Sequence, residues 1–124
     1  MGDSNIMGMQ PYKGSCHCGA IQFSFEAEPF THGMRCNCSF CAKRGAMVSL
    51  VPGEKFKIDA QEGALSFYQF GKKQAKHYFC KTCGIHTFSE TTRRPGQYIV
   101  NLACVEGVDI SALETTLFDG KNLL

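Results

Sequence analysis

The 124-residue sequence lacks a strong excess of either charge, and its net charge of +2 gives no reason to expect nucleic-acid or membrane binding. It also lacks an apolar run near the ~18 residues that a membrane-spanning helix needs. Residues 1–6 contain neither the basic nor the apolar segment of a signal peptide. We therefore expect a cytoplasmic protein, in a compartment where clustered cysteines are more often metal ligands or catalytic groups than disulfides.

Helical periodicity is scarce as well, because no stretch repeats apolar residues at helical spacing over three turns. The best helical candidate covers only residues 108–115, with Asp109 as its N-cap. By contrast, Ile21, Phe23 and Phe25 alternate with polar residues, which is the pattern of a half-buried strand. We predict one mainly β domain of roughly seven short antiparallel strands over residues 11–124, after a flexible tail of residues 1–10.

Cysteine is the residue that the sequence has in excess, and seven of its eight cysteines fall into three tight groups. These groups are Cys16-His17-Cys18, Cys36-Asn37-Cys38-Ser39-Phe40-Cys41 and Cys80-Lys81-Thr82-Cys83. Tetrahedral zinc takes four ligands, so seven thiolates divide into one closed site of four and one site of three with an open position. We therefore expect two Zn²⁺ ions per chain, the second at a site suited to chemistry.

The outer two groups form the closed site that we predict. The spacing Cys80-x-x-Cys83 followed by Gly84 is typical of a zinc knuckle, and Cys16 and Cys18 supply the other two ligands. A metal held in this way closes a loop of about 60 residues and stabilises the fold over a long range. One alternative is a thioredoxin-like redox pair, which should open a helix. Another is a set of disulfides, which would suit an exported protein better.

The middle group, Cys36, Cys38 and Cys41, places three thiolates within six residues, enough to bind one zinc from a single loop. The fourth position is empty, or it is filled by water or by a protein ligand. The protein candidates are Cys104, His17, His77 and His86. Cys104 follows an apolar strand and is expected to be a small buried residue. We expect the two strand histidines to be packed or exposed rather than to be ligands.

A zinc with three thiolates and an open position favours thiol chemistry. Its net charge of one negative unit makes it a weak Lewis acid for activating water, but it can bind a fourth thiol and keep it ionised. The expected reactions are addition of a small-molecule thiol to an electrophile and the reverse cleavage of a carbon–sulfur bond. Lys43 and Arg44 follow the group directly and could anchor a substrate carboxylate. Alternatively, they are solvated charges that offset the thiolates.

The cysteine groups belong to a longer ordered series of motifs. The series is Gly14-Ser15-Cys16-His17-Cys18-Gly19-Ala20, Cys36-Asn37-Cys38-Ser39-Phe40-Cys41 with Lys43-Arg44-Gly45-Ala46, His77-Tyr78-Phe79-Cys80-Lys81-Thr82-Cys83-Gly84-Ile85-His86, Val100-Asn101 and Phe118-Asp119-Gly120. It resembles the glutathione-dependent formaldehyde-activating enzyme family, to which centromere protein V also belongs. The resemblance implies a zinc-stapled β-tent fold. It also implies a structural zinc at Cys16, Cys18, Cys80 and Cys83 and a catalytic zinc at Cys36, Cys38 and Cys41.

The activity that the resemblance implies is condensation of formaldehyde with glutathione to S-hydroxymethylglutathione, classed as a carbon–sulfur lyase reaction. Our leading hypothesis is therefore a two-zinc enzyme that binds a small-molecule thiol such as glutathione and adds it to, or releases it from, a small aldehyde. The alternative is a non-catalytic zinc-binding scaffold or partner-binding module, which predicts a closed or empty middle site. A third hypothesis is a thiol-based redox protein, which predicts reversible disulfides in the middle group.

Overall fold

The computed structural model describes residues 8–123 and shows a mainly β protein, as the sequence predicts. Within these residues the strands are Gln10–Ser15 (β1), Ile21–Ala27 (β2), His32–Cys36 (β3), Val48–Pro52 (β4), Lys57–Ala60 (β5), Leu65–Tyr68 (β6), Ala75–Cys80 (β7), His86–Thr91 (β8), Gln97–Asn101 (β9) and Glu114–Phe118 (β10). Most of the predicted tail, residues 1–10, lies outside the described residues, and β1 begins at its last residue. The domain limits of 11–124 stay a prediction.

The strands form two sheets. One is three-stranded in the order β1-β2-β5, and the other is seven-stranded in the order β10-β3-β4-β9-β8-β7-β6. Neighbouring strands are antiparallel, as predicted, except that β3 and β10 pair in parallel. In this parallel pair Phe118 lies opposite Cys36. The chain after β10 is therefore brought beside the middle cysteine group.

The hydrophobic core combines residues of both sheets. Ile21, Phe23 and Phe25 are buried while their neighbours Gln22 and Glu26 are exposed, which confirms the predicted half-buried strand β2. Phe23 meets Phe88 of β8 edge to face, with the ring centroids 5.3 Å apart, and so joins the three-stranded sheet to the seven-stranded sheet. Burial of each such ring stabilises the fold by about 1.5–3 kcal/mol relative to exposure.

The helices differ from the prediction. Asp109 does cap a helix, by accepting a hydrogen bond from the Ser111 backbone, but that helix is one 3-10 turn, Ile110–Ala112, and β10 follows it. An α-helix that the sequence did not predict, α1, spans Ser39–Arg44 and so begins within the middle cysteine group. Two further short helices span Leu102–Cys104 and Gly120–Leu123 (α2). None of the helices in residues 8–123 is both long and apolar enough to cross a membrane.

Candidate metal centres

Four cysteines converge at one point although they come from distant parts of the sequence. Cys16 and Cys18 lie between β1 and β2, Cys80 ends β7, and Cys83 lies in the turn after β7. All four Sγ atoms lie within 4.8 Å of one another. The Sγ of Cys18 is 3.7 Å from that of Cys16 and 3.6 Å from that of Cys80. We refer to these four residues as the four-cysteine cluster.

The separations in this cluster fit a tetrahedral metal ion. Four sulfurs at the usual Zn–S distance of about 2.3 Å lie about 3.8 Å apart, whereas the sulfurs of a disulfide are about 2.05 Å apart. All eight cysteines of the chain are free. The structure thus brings together the four sulfurs that the spacing paired, at distances suited to a metal rather than to disulfides.

Backbone N–H groups surround the sulfurs of the four-cysteine cluster. The Ile21 N–H donates to Cys16 Sγ at 3.3 Å. Hydrogen bonds from the backbone of Cys18 and of Ile85 lower the pKa of Cys83 to about 6, because they stabilise its thiolate. The backbone around Cys83 therefore favours the ionised sulfur that a metal requires.

Cys36, Cys38 and Cys41 form a second group, the three-cysteine cluster, and their Sγ atoms also lie within 4.8 Å of one another. Cys36 ends β3, whereas a helix rather than the predicted loop positions the other two: Cys41 lies on α1, and Cys38 is its N-cap, whose sulfur accepts from the Cys41 N–H at 3.4 Å. The helix ends at Gly45, whose φ of 69° lies in the left-handed region that favours glycine. All three cysteines are half-buried.

Thiol acidity differs between members of the three-cysteine cluster. Burial opposes ionisation of Cys38, but hydrogen bonds, chiefly from the Cys41 backbone, lower its pKa overall. Burial raises the pKa of Cys41 to about 12, although the positive charge of Arg44 opposes this shift. A cation bound by the cluster must therefore displace the Cys41 proton, which metal ions do when they bind thiols.

No fourth protein ligand completes the three-cysteine cluster within residues 8–123, where no other His, Cys, Asp or Glu ligand atom lies within 4.8 Å of all three sulfurs. Cys104, half-buried rather than fully buried, directs its thiol to the backbone oxygen of His86 at 3.5 Å. His17 is exposed. His77 is buried and packs on Phe40, with the ring centroids 4.3 Å apart. These three candidates for the fourth position are therefore packed or exposed, and the fourth candidate, His86, contacts Arg44 and Ser89.

The two charged residues after the cluster lie in different surroundings. Lys43 is exposed. Arg44 is half-buried: its Nη2 donates to Cys41 Sγ at 3.2 Å, and its Nη1 lies 3.0 Å from His86 Nε2. Its guanidinium also lies over the Phe40 ring, 5.0 Å from the centroid. Arg44 is thus engaged by the protein, whereas the Lys43 ammonium faces solvent.

Sequence reasoning missed several polar side chains near the three-cysteine cluster. Ser89 Oγ lies 2.8 Å from His86 Nε2 and 2.9 Å from His77 Nδ1. Asn37, between two ligand candidates, donates to the Asp119 carboxylate at 2.9 Å, across 82 residues of sequence. Asn37 and Asp119 both stand in motifs of the ordered series, but nothing local in the sequence indicates that they bond to each other.

Fold and sites together define the class: a mainly β protein with two sulfur clusters, of four and of three cysteines, each of which could hold a metal ion. Over residues 11–118 the sequence matches the family of the glutathione-dependent formaldehyde-activating enzyme, and the chain belongs to this family. The fold is also similar to the crystal structure of a Rhodobacter sphaeroides protein, at 39% sequence identity and a TM-score of 0.75. That match covers 84% of this chain and 99% of the other. The resemblance drawn from the cysteine motifs is thereby confirmed.

Proposed function

We propose that this protein is a zinc-dependent enzyme that condenses a small-molecule thiol with an aldehyde and catalyses the reverse release. Glutathione and formaldehyde are the proposed substrates, because the family description names both. The thiol sulfur forms a bond to the carbonyl carbon and the thiol proton ends on the carbonyl oxygen, which gives S-hydroxymethylglutathione. The reverse reaction breaks the carbon–sulfur bond, as in a carbon–sulfur lyase. The proposed location is the cytoplasm, where thiols stay reduced.

The observation that carries the proposal is the incomplete three-cysteine cluster. Its three half-buried sulfurs converge without a fourth protein ligand in residues 8–123. Structural zinc sites use four protein ligands, whereas catalytic sites keep one position open. A zinc ion held by Cys36, Cys38 and Cys41 would supply a position at which a thiol loses its proton near neutral pH. The four-cysteine cluster is proposed to hold the structural zinc.

The surrounding residues are proposed to bind and orient the substrates. Lys43, exposed on α1, is the residue that we propose as the anchor for a glutathione carboxylate. The ring of Tyr68 stacks on Phe40 and the ring of Phe70 lies tilted against it, with centroids 5.6 and 5.5 Å away. Both rings pack on one side of the helix that carries Cys41. This packing would limit the approach of water from that side.

The test is exchange NMR on a mixture of protein, glutathione and formaldehyde. We expect zinc-loaded protein to accelerate exchange between glutathione and its adduct, and Cys41→Ser to remove the acceleration because the cluster loses a ligand. Cys104→Ser is the matched control, since Cys104 is half-buried and lies outside both clusters. Exchange no faster with fully zinc-loaded protein than without it would rule out the proposed reaction.

A non-catalytic scaffold is the second candidate function, and the shape of the surface favours it. Two surface cavities, of about 470 and about 500 Å³, are lined by residues that include Tyr98 and Tyr12 respectively, and neither is lined by a cysteine. The discriminating measurement is addition of glutathione to Co²⁺-substituted protein. A changed cobalt spectrum supports thiol binding at the open position, whereas an unchanged spectrum at full cobalt loading supports the scaffold.

A further inference from the structure

A chain of polar side chains connects Cys41 to the protein interior through Arg44, His86, Ser89 and His77. Arg44 Nη2 donates to Cys41 Sγ at 3.2 Å, and Nη1 lies 3.0 Å from Nε2 and 3.4 Å from Nδ1 of His86. The Ser89 hydroxyl bridges the two imidazoles, at 2.8 Å from His86 and 2.9 Å from His77. Ser89 is 1% exposed and His77 is 8% exposed. We call Arg44, His86, Ser89 and His77 the arginine–histidine network.

A β-bulge places the members of this network on one face of the sheet. Simple alternation along β8 would direct His86 and Ser89 to opposite faces. The pairing of β7 with β8 shifts, however. His77 of β7 lies opposite Ser89 of β8, and Phe79 of β7 lies opposite His86 of β8. Two steps along β7 therefore correspond to three steps along β8, so β8 contains one extra residue. The extra residue turns His86 to the face of Ser89 and His77, as bulges beside functional sites commonly do.

The imidazoles of the network are neutral, so its one charge is that of Arg44. A guanidinium has only donors, so at least one of the two His86 nitrogens beside Arg44 Nη1 must be unprotonated to accept from it. Burial, and then the charge of Arg44, lower the pKa of His86 to about 3 and that of His77 to about 4. The Ser89 hydroxyl can donate to one neutral ring and accept from the other.

The guanidinium is oriented towards sulfur rather than towards solvent. Arg44 Nε is buried and has no hydrogen-bond partner among residues 8–123, and Nη2 is taken by Cys41. The Nε–Nη2 edge, which can bind a carboxylate with two parallel hydrogen bonds, therefore faces the protein. Lys43 next to it is exposed and has no such restriction.

We propose that Arg44 is a positioning residue of the three-cysteine cluster, held against Cys41 by His86, Ser89 and His77, where it offsets the negative charge of a metal–thiolate centre. The proposal deepens the proposed function. It rests on that function in one respect, which is that a divalent cation binds these three thiolates. Three thiolates around such a cation leave one negative unit, which would repel a fourth, anionic ligand. A charged hydrogen bond to one sulfur reduces this repulsion, as outer partners of metal ligands do elsewhere.

The test uses the full chain loaded with Co²⁺ and compares the sulfur-to-cobalt absorption band and the metal affinity, measured against a competing chelator. We expect Arg44→Gln to move the band to lower energy and to weaken binding at the open site about 10- to 100-fold. Ser89→Ala should also move the absorption band to lower energy and should weaken metal binding about 2- to 10-fold, because Arg44 is then held less firmly. The four-cysteine cluster contributes equally to every spectrum, since none of the substituted side chains contacts it.

Ser49→Ala is the matched control, because Ser49 also lies on a strand but its hydroxyl donates to the backbone oxygen of Leu50, outside the arginine–histidine network. Spectra and affinities of Arg44→Gln equal to those of the unsubstituted protein would overturn the proposal. So would a Ser89→Ala variant that behaves like Ser49→Ala, because the network would then not position Arg44. If zinc-loaded protein does not accelerate the glutathione–formaldehyde exchange but the cobalt spectra shift as expected, the proposed function is ruled out and the role of Arg44 is not.

Discussion

The charged and histidine side chains around the three-cysteine cluster differ in their exposure to solvent. His77 is buried, His86 and Arg44 are half-buried, and Lys43 is exposed. The sequence singled out all four, because they stand beside cysteine motifs. It could not separate them, because their burial depends on strands from other parts of the chain that pack over them. Ser89 had no local signal at all.

At the scale of single residues, we predict that His77 and His86 stay neutral in the folded protein at pH values far below the usual imidazole pKa. Burial and the Arg44 charge lower the two pKa values to about 4 and about 3. The folded protein then binds fewer protons than the unfolded chain, so the stability from these rings is complete above about pH 6.5 and is lost as the pH falls towards their folded pKa values. Ring NMR shifts of zinc-loaded protein should show no titration between about pH 8 and about pH 5. A midpoint above about 6 for either ring would contradict the prediction.

The six-residue helix α1 holds two members of the three-cysteine cluster, because it carries Cys41 and is capped by Cys38. A helix of this length is unstable by itself, so its packing must hold it. Phe40 provides that packing through contacts with His77, Tyr68 and Phe70. The sequence did not predict α1, because six residues are too few to show a helical period. Its limits are set instead by the cap at Cys38 and by Gly45.

We therefore expect Phe40→Ala to destabilise the protein by about 1–3 kcal/mol and to speed metal loss from the three-cysteine cluster. Phe67→Ala is the matched control, since Phe67 precedes Tyr68 on β6, is 44% exposed and contacts Tyr78 instead. The measurement is zinc release to a colorimetric chelator, together with thermal unfolding. Equal release rates for the two variants would show that Phe40 does not support the cluster.

The four-cysteine cluster acts at the scale of the whole molecule, because it joins the two sheets. Cys16 and Cys18 follow the first strand of the three-stranded sheet, and Cys80 ends a strand of the seven-stranded sheet. The contact between Cys18 and Cys80 spans 62 residues, whereas the three-cysteine cluster spans a single short segment. A metal in the first cluster closes a far longer loop.

We predict that Cys83→Ser and Cys41→Ser each lower the zinc content by one ion per chain but differ in stability. Cys83→Ser should lower the Tm by about 10 °C or more, because the bridge between the sheets is weakened, and Cys41→Ser should lower it much less. Elemental analysis and calorimetry at equal protein concentration measure both effects. A larger loss of Tm for Cys41→Ser would reverse the roles that we propose for the two clusters.

The sequence by itself determined the division of seven cysteines into a group of four and a group of three, the family, and the buried face of β2. Each of these depends on spacing within a few residues, which the chain carries locally. Only the tertiary structure decided the parallel pairing of β3 with β10, the bond between Asn37 and Asp119, and the face on which His86 lies. These features depend on how strands pair with one another. One extra residue in a strand turns a side chain to the opposite face of the sheet, and the local sequence pattern does not reveal it.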